Sequence, residues 1–122
     1  MILVDTSVWV NHFRSSNHRL SGLLSDGQVV THPFILGELA CGDLRNRDEI
    51  LSLLQSLPMA PTITIDEFLY FVEQNRLMSK GLGFVDVHLL ASAKLAAIPL
   101  WTLDRKLNSA AKRLAIGYHV HR

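Results

Sequence analysis

An α/β fold, with a parallel sheet carrying helices on both faces, is predicted by three features of this 122-residue chain. The chain opens on a continuous apolar run, Met1 to Val4, that ends abruptly at Asp5. A run this short reads as a strand buried on both faces, as in the middle of a parallel sheet. Beyond it, short apolar or β-branched runs alternate with segments of helical periodicity almost throughout, the pattern of parallel strands joined by helical crossovers. Finally, 48% of the residues are apolar and 19% charged, enough apolar surface for a core and too little charge for a disordered chain. The length predicts one domain over 1–122, and no repeat, low-complexity tract or linker divides it.

In chain order, the first strand passes into a helix over Val8 to Phe13. A second helix begins at Asn17, places Leu20, Leu23 and Leu24 at helical spacing, and stops at Asp26-Gly27. Gln28 to Thr31 is a β-branched strand. Pro33, in a first turn where helices tolerate proline, opens a helix to about Cys41 that stops at Gly42. Arg45 to Leu57 is amphipathic, with Ile50, Leu53, Leu54 and Leu57 on one face. Thr62 to Ile65 alternates as a strand does. Asp66-Glu67 then gives a helix start favourable charge, and that helix is expected to reach about Lys80. After the break at Gly81-Leu-Gly83, Phe84 to Ala97 is helical, with Val87, Leu90, Ala91 and Leu95 as its apolar stripe. Pro99 to Leu103 is a strand, Asp104 to Ala115 a helix with Gly117 as its C-cap, and Tyr118 to His121 a last strand.

Several classes are excluded or left open by the totals. A net charge of +1 neither demands nor excludes a nucleic-acid partner. The single cysteine, Cys41, rules out a disulfide framework and suits a reducing compartment. No apolar run nears the roughly 18 residues a membrane-spanning helix requires. Asp5 interrupts the N-terminal apolar run and no basic segment precedes it, unlike a signal peptide. A soluble, cytoplasmic protein without a membrane partner is expected.

Most of the eleven acidic residues have an ordinary explanation. Asp48 and Glu49 fall on a solvated helix face, Asp66 and Glu67 at a helix start, and Asp26 and Asp43 beside glycines in turns. Glu73 can pair with Arg76 or Lys80. Four remain. Asp5 ends the first strand, and Glu38 lies in an apolar helix, where a carboxylate is costly unless compensated. Asp86 sits in the first turn of another apolar helix, and Asp104 follows a strand and opens a helix. Taken singly, Asp86 and Asp104 read as helix caps and Glu38 as a buried acid with a partner. As a set they are harder to dismiss, because the alternation of elements brings all four toward one sheet edge. Ligands in open α/β sheets bind beyond the carboxyl ends of the strands.

Carboxylates gathered in one place repel: two charges about 4 Å apart cost roughly 4 kcal/mol at an effective dielectric of about 20. Either some hold protons, or a cation sits among them. An all-oxygen, carboxylate-rich set suits Mg²⁺ or Mn²⁺. The six histidines show no zinc spacing with the cysteine or one another, and His88, two residues from Asp86, reads as a structural or surface group. Such a site supports attack of water on a phosphodiester, with the cation needed even to admit a polyanion. Thr6, Ser7 and Thr102 are candidates for orienting the carboxylates by their hydroxyls. Arg76, Lys80, Arg105 and Lys106 are candidates for holding flanking phosphates, or are ordinary solvated charges.

Four segments carry a resemblance: Val4-Asp-Thr-Ser-Val-Trp9, Gly37-Glu-Leu39, Gly83-Phe-Val-Asp-Val-His-Leu-Leu-Ala-Ser92 and Trp101-Thr-Leu-Asp-Arg-Lys-Leu107. In this order and spacing they resemble the motifs of the PIN-domain family, and within it the VapC-type toxin ribonucleases of type II toxin–antitoxin modules. The resemblance spans essentially the whole chain. It implies a three-layer α/β/α sandwich around a short parallel sheet, and Mg²⁺- or Mn²⁺-dependent endoribonuclease activity. Asp5, Glu38, Asp86 and Asp104 match the family's acidic positions. Asp5, Asp86 and Asp104 would hold metal, with Glu38 completing the cluster or acting through water. Thr102 matches a hydroxyl position. His88 and Arg105 stand where many members carry further acids, which leaves one ion or two open. The resemblance also implies homodimerisation, a VapB-like antitoxin partner forming a toxin–antitoxin hetero-oligomer, and an RNA substrate, tRNA being a first guess. Trp9, Phe13, Leu53 and Leu57 are candidates for an antitoxin groove, or are core.

Two other readings stand beside this one. A non-catalytic RNA-binding or regulatory domain could keep the fold, but its signature, loss of acidic residues, is missing. An aspartate-dependent phosphatase with Asp5 as nucleophile is less favoured, because Ser7 stands where such enzymes place a second Asp as general acid.

Overall fold

The structure, a computed structural model, describes residues 1–119. Its elements run β1 (Ile2–Val4), α1 (Thr6–Ser15), α2 (His18–Ser25), β2 (Val29–Val30), α3 (Pro33–Ala40), α4 (Arg47–Ser56), α5 (Ile65–Asn75), α6 (Phe84–Ala96), β3 (Leu100–Trp101) and α7 (Arg105–Arg113). The three strands are parallel in the order β2-β1-β3, with Leu3 opposite both Val30 and Leu100. Single parallel bridges extend the sheet at both edges, Thr31 to Met59 beside β2 and Leu100 to Gly117 beside β3. Helices flank this small sheet, as the alternation predicts. β1 is buried over all three residues, which accounts for its unbroken apolar sequence. Leu3, Val4, Val8, Trp9, Leu90 and Leu100 form the centre of the core.

Local chemistry starts the helices where the sequence suggests. The Asn17 side chain accepts from Leu20 N at 3.0 Å to cap α2, and Pro33 occupies the first turn of α3. Thr64 and Glu67 form a reciprocal capping box on α5, with Thr64 N donating to Glu67 Oε1 at 2.8 Å and Glu67 N to Thr64 Oγ1 at 3.2 Å.

That capping box overturns the strand expected over Thr62 to Ile65. Thr64 is the helix cap and Ile65 the first helical residue. The bridge to β2 forms earlier, where Thr31 N donates to Pro58 O and Ala60 N to Thr31 O. α5 also ends at Asn75 rather than near Lys80, because Arg76 turns left-handed (φ 51) and Leu77 folds back into the core. The left-handed residue after α7 is Ala115 (φ 62), not Gly117. Gly117 instead makes the bridge to Leu100, where a Cβ would come within 2.9 Å of Lys112 Cγ. The last strand thus reduces to that bridge and the Tyr118 N to Leu100 O bond, and the rest of its expected span, Val120 and His121, lies outside the described residues. On α6, Val87, Leu90 and Ala91 are buried as expected but Leu95 is exposed. Glu73 makes no ion pair with Arg76 or Lys80 among the described residues; its backbone carbonyl accepts from Arg76 N.

Candidate active site

The carboxyl ends of the parallel strands define one edge of the sheet, and the residues there come from every part of the chain. Asp5 follows β1 directly and hydrogen-bonds across to β3 through its backbone, Asp5 N to Trp101 O at 2.9 Å. Its buried carboxylate accepts from Ser7 Oγ at 2.7 Å, Thr102 Oγ1 at 2.7 Å and Ser7 N at 3.4 Å, all on Oδ2. Each hydroxyl accepts a backbone donor in turn, Leu103 N on Ser7 Oγ and Asp104 N on Thr102 Oγ1, both at 3.0 Å. The single proton of each hydroxyl is therefore directed at Asp5, and the Ser7 to Thr102 contact of 3.2 Å is packing between two donors already in use. Ser7 and Thr102 also tie the start of α1 to the β3–α7 connection.

The other three carboxylates share a pattern with Asp5. Asp86 Oδ2 accepts from Gly83 N at 2.8 Å, Asp104 Oδ1 from Leu107 N at 2.9 Å, and Glu38 Oε1 from Thr6 Oγ1 at 2.8 Å. Each of the four spends one oxygen holding local structure. The second oxygen of each, Asp5 Oδ1, Asp86 Oδ1, Asp104 Oδ2 and Glu38 Oε2, takes no hydrogen bond among the described residues. The capping role foreseen for Asp86 and Asp104 is real, and it uses half of each carboxylate.

Electrostatics links three of them. The Asp86 carboxyl is raised above its ordinary value, first by burial and then by the charges of Asp5 and Asp104, against a lowering by the Gly83 N–H. As the side chains stand, no three acidic, histidine or cysteine groups among the described residues are close enough to grip one ion together. Capping draws Asp86 and Asp104 back onto their own helices. The donor set itself fits a hard divalent cation: free carboxylate oxygens, mutual repulsion that positive charge would relieve, and flanking hydroxyls.

Around this edge the surroundings are uneven. Lys80, Arg105, Lys106 and Arg113 line a cleft of about 530 Å³ along α7, just past Asp104. Arg76, expected with them, lies in a separate depression with Glu73, Gln74 and Met78, while Arg113 was not anticipated from sequence. On the Glu38 side, Thr6, Val10, Phe13, Leu39 and Ile50 line a cleft of about 790 Å³ that also takes in Arg14 and Arg45. Of the four residues suggested for a partner groove, Phe13 lines this cleft, Leu53 is exposed, Leu57 is half-buried and Trp9 is wholly buried core. His88 is buried too, in a cage of Phe34, Phe68 and Phe84 with ring centroids 4.5–4.8 Å away, and burial holds its pKa below the ordinary value.

A parallel sheet of this order with acids gathered at its carboxyl edge defines a class of protein, and comparison with known families agrees: the PIN-domain model matches residues 2–113. The chain belongs to the PIN-domain family. Within it, the chain is 46% identical over 118 residues to the ribonuclease VapC32 of Mycobacterium tuberculosis strain H37Rv, covering 96% of this chain and 95% of that protein, and equally to the same ribonuclease of strain CDC 1551. The crystal structure of PAE2754 from Pyrobaculum aerophilum shares the fold, with a TM-score of 0.66 at 16% identity over 93% of this chain and 94% of the other.

Proposed function

We propose that this chain is a single-domain, metal-dependent endoribonuclease and the toxin of a type II toxin–antitoxin pair. The observation that carries the reading is that Asp5, Glu38, Asp86 and Asp104 each anchor the fold through one oxygen and leave the other without a hydrogen bond among the described residues. Fold maintenance alone does not call for four such acids from separate elements. Its relative in Mycobacterium tuberculosis, at 46% identity, is a ribonuclease, which selects RNA among phosphodiester substrates.

In this reading Asp5, Asp86 and Asp104 hold Mg²⁺ or Mn²⁺, and Glu38 completes the set directly or through water. A cation held there would supply an activated water and positive charge for the leaving oxygen. Ser7 and Thr102 fix the rotamer of Asp5, and Thr6 that of Glu38. Lys80, Arg105 and Lys106 hold flanking phosphates in the α7 cleft, and Arg76, which lines a separate depression, would contact the RNA at another point along the strand. The aspartyl-phosphate alternative is disfavoured because Ser7, rather than a carboxylic acid, stands two residues after Asp5, and its hydroxyl donates to Asp5.

A VapB-like antitoxin segment is assigned to the cleft between α1, α3 and α4, whose Val10, Phe13, Leu39 and Ile50 offer apolar anchors beside Glu38. A basic side chain on that segment would neutralise the acids in place of the cation. Self-association is assigned to the outer face of α5 and α6, where Ile65, Leu69, Tyr70 and Leu95 are exposed. No helix among the described residues is long and apolar enough to cross a membrane.

The test is to incubate purified protein with total cellular RNA, with and without Mg²⁺ or Mn²⁺, and to map new 5′ ends, tRNAs being the first substrates to inspect. Asp5→Asn is expected to reduce metal-dependent cleavage to background with the circular dichroism spectrum unchanged. Cleavage by Asp5→Asn at the wild-type rate would sink the assignment.

A further inference from the structure

Two exposed aromatic rings stand at the starts of α3 and α6, where they cover the buried His88 and leave their outer surfaces open. Phe84 opens α6 two residues before Asp86 and is 54% exposed; Phe34 lies in the first turn of α3, one turn before Glu38, and is 36% exposed. Their rings are nearly parallel, 26° between planes with centroids 6.1 Å apart. Both are braced from below. Phe84 meets buried Phe68 at 4.9 Å and buried His88 at 4.5 Å, and Phe34 meets His88 at 4.8 Å and His32 at 5.1 Å. His32 also fixes the backbone under Phe34, its Nδ1 accepting from Phe34 N at 3.0 Å. The outcome is a rigid aromatic step whose outer surface is left to solvent.

We infer that Phe84 and Phe34 form a stacking platform for an unpaired nucleobase next to the scissile phosphate. The inference rests on the nuclease reading and deepens it, giving that site a base-recognition element. Three observations favour a base over a protein side chain. Phe84 lies two residues before Asp86 and Phe34 four before Glu38, so both rings stand at the starts of the helices that carry these acids. The two rings are nearly parallel and solvent-exposed, and a base can stack on an exposed ring regardless of its identity. The cations Lys80, Arg105, Lys106 and Arg113 line a cleft along α7, and the Lys106 side chain lies against Gly81, just before α6, which brings phosphate-binding charge close to the aromatic step. Phosphates gripped along α7 and a base laid on the aromatic step would hold one strand at two points. A base can reach such a platform only when it is unstacked, so the nucleotide beside the cut must be single-stranded or splayed out.

The experiment is a double-mutant cycle between ring and base. An oligoribonucleotide spanning a cut mapped with wild-type protein is prepared intact and with an abasic site at each position flanking the cut. Wild-type, Phe84→Ala, Phe84→Leu, Phe84→Tyr and Phe34→Ala proteins are compared by kcat/KM, with thermal midpoints as a folding control. Phe84→Ala and one abasic substitution should each lower kcat/KM by roughly 5- to 150-fold. Combined, they should lose little more than either alone. Phe84→Leu, which keeps apolar bulk against His88, should resemble the Ala variant, whereas Phe84→Tyr should restore cleavage. Wild-type cleavage together with additive losses, or with Phe84→Leu as active as wild type, would overturn the platform while leaving the nuclease standing. Unchanged cleavage by the Phe variants with weakened self-association or antitoxin binding would reassign the rings to a protein interface and overturn it as well. Absence of any RNA cleavage by wild-type protein would remove both the nuclease reading and the platform.

Discussion

At the scale of single residues, the hydroxyl of Thr102 has two obligations. It donates to Asp5 Oδ2 at 2.7 Å and accepts from Asp104 N at 3.0 Å, so one buried side chain positions two of the four acids. Thr102→Val keeps shape and volume while removing both bonds. Leaving the Asp104 N–H unpaired is expected to cost about 1–3 kcal/mol of stability. If Asp5 acts as proposed, loss of its orienting donor should lower metal-dependent RNA cleavage by about 10- to 100-fold. Thr102→Ser, which restores the hydroxyl, should recover most of the activity. Urea denaturation and initial cleavage rates on the same three proteins check both parts. Sequence alone could suggest Thr102 as an orienting residue, because a hydroxyl two positions before a strand-end acid is a visible feature. It could not show that Ser7 converges on the same oxygen, since that depends on α1 and β3 meeting across 95 residues.

At the scale of elements, the strand-and-helix alternation was legible because burial imposes different periods on the two. The errors fall where one segment satisfies two patterns. Thr62 to Ile65 alternates as a strand would, yet Thr64 is followed three residues later by Glu67, and the capping box decides the matter. The Glu67 carboxyl is held below its ordinary value, chiefly by the Thr64 N–H and then by the Thr64 hydroxyl. Thr64→Ala removes the hydroxyl arm of this box and is expected to destabilise the protein by about 1 kcal/mol. The urea midpoint should fall with the slope of the transition unchanged, and RNA cleavage should be unaffected, since α5 contributes none of the four acids. Similarly, Phe34 and Phe84 look like ordinary core residues in a helical pattern. Only the placement of the α3 and α6 starts at the sheet edge leaves them exposed.

At the scale of the whole molecule, two buried imidazoles couple the fold to pH. His32 is fully buried at the junction of β2 and α3, and burial followed by the nearby His88 lowers its pKa from the ordinary 6.5 to about 4. Its Nδ1 must stay unprotonated to accept from Phe34 N and start α3, the helix that carries Glu38. A base whose folded pKa lies below its unfolded one binds more protons when unfolded, so stability rises with pH across that interval. The contribution is complete above about pH 6.5 and is lost as pH falls toward 4. For His32 it amounts to at most about 3 kcal/mol. His88, also lowered by burial, adds in the same direction. Asp86 acts oppositely, because its raised carboxyl is destabilising while charged and is relieved by protonation in acid. The large lowering at His32, reinforced by His88, makes net destabilisation the expected outcome as pH falls below about 6.5. His32→Asn retains a side-chain acceptor for Phe34 N without the titration. Its unfolding free energy, measured at intervals from pH 4 to 7, should be lower than wild type at pH 7 because a cavity is left. Its slope against pH should be visibly flatter, with the residual slope set by His88, Asp86 and Glu67. A slope equal to that of wild type would show that His32 carries its proton equally in the folded and unfolded chains, and the acid sensitivity would then have to come from elsewhere in the fold.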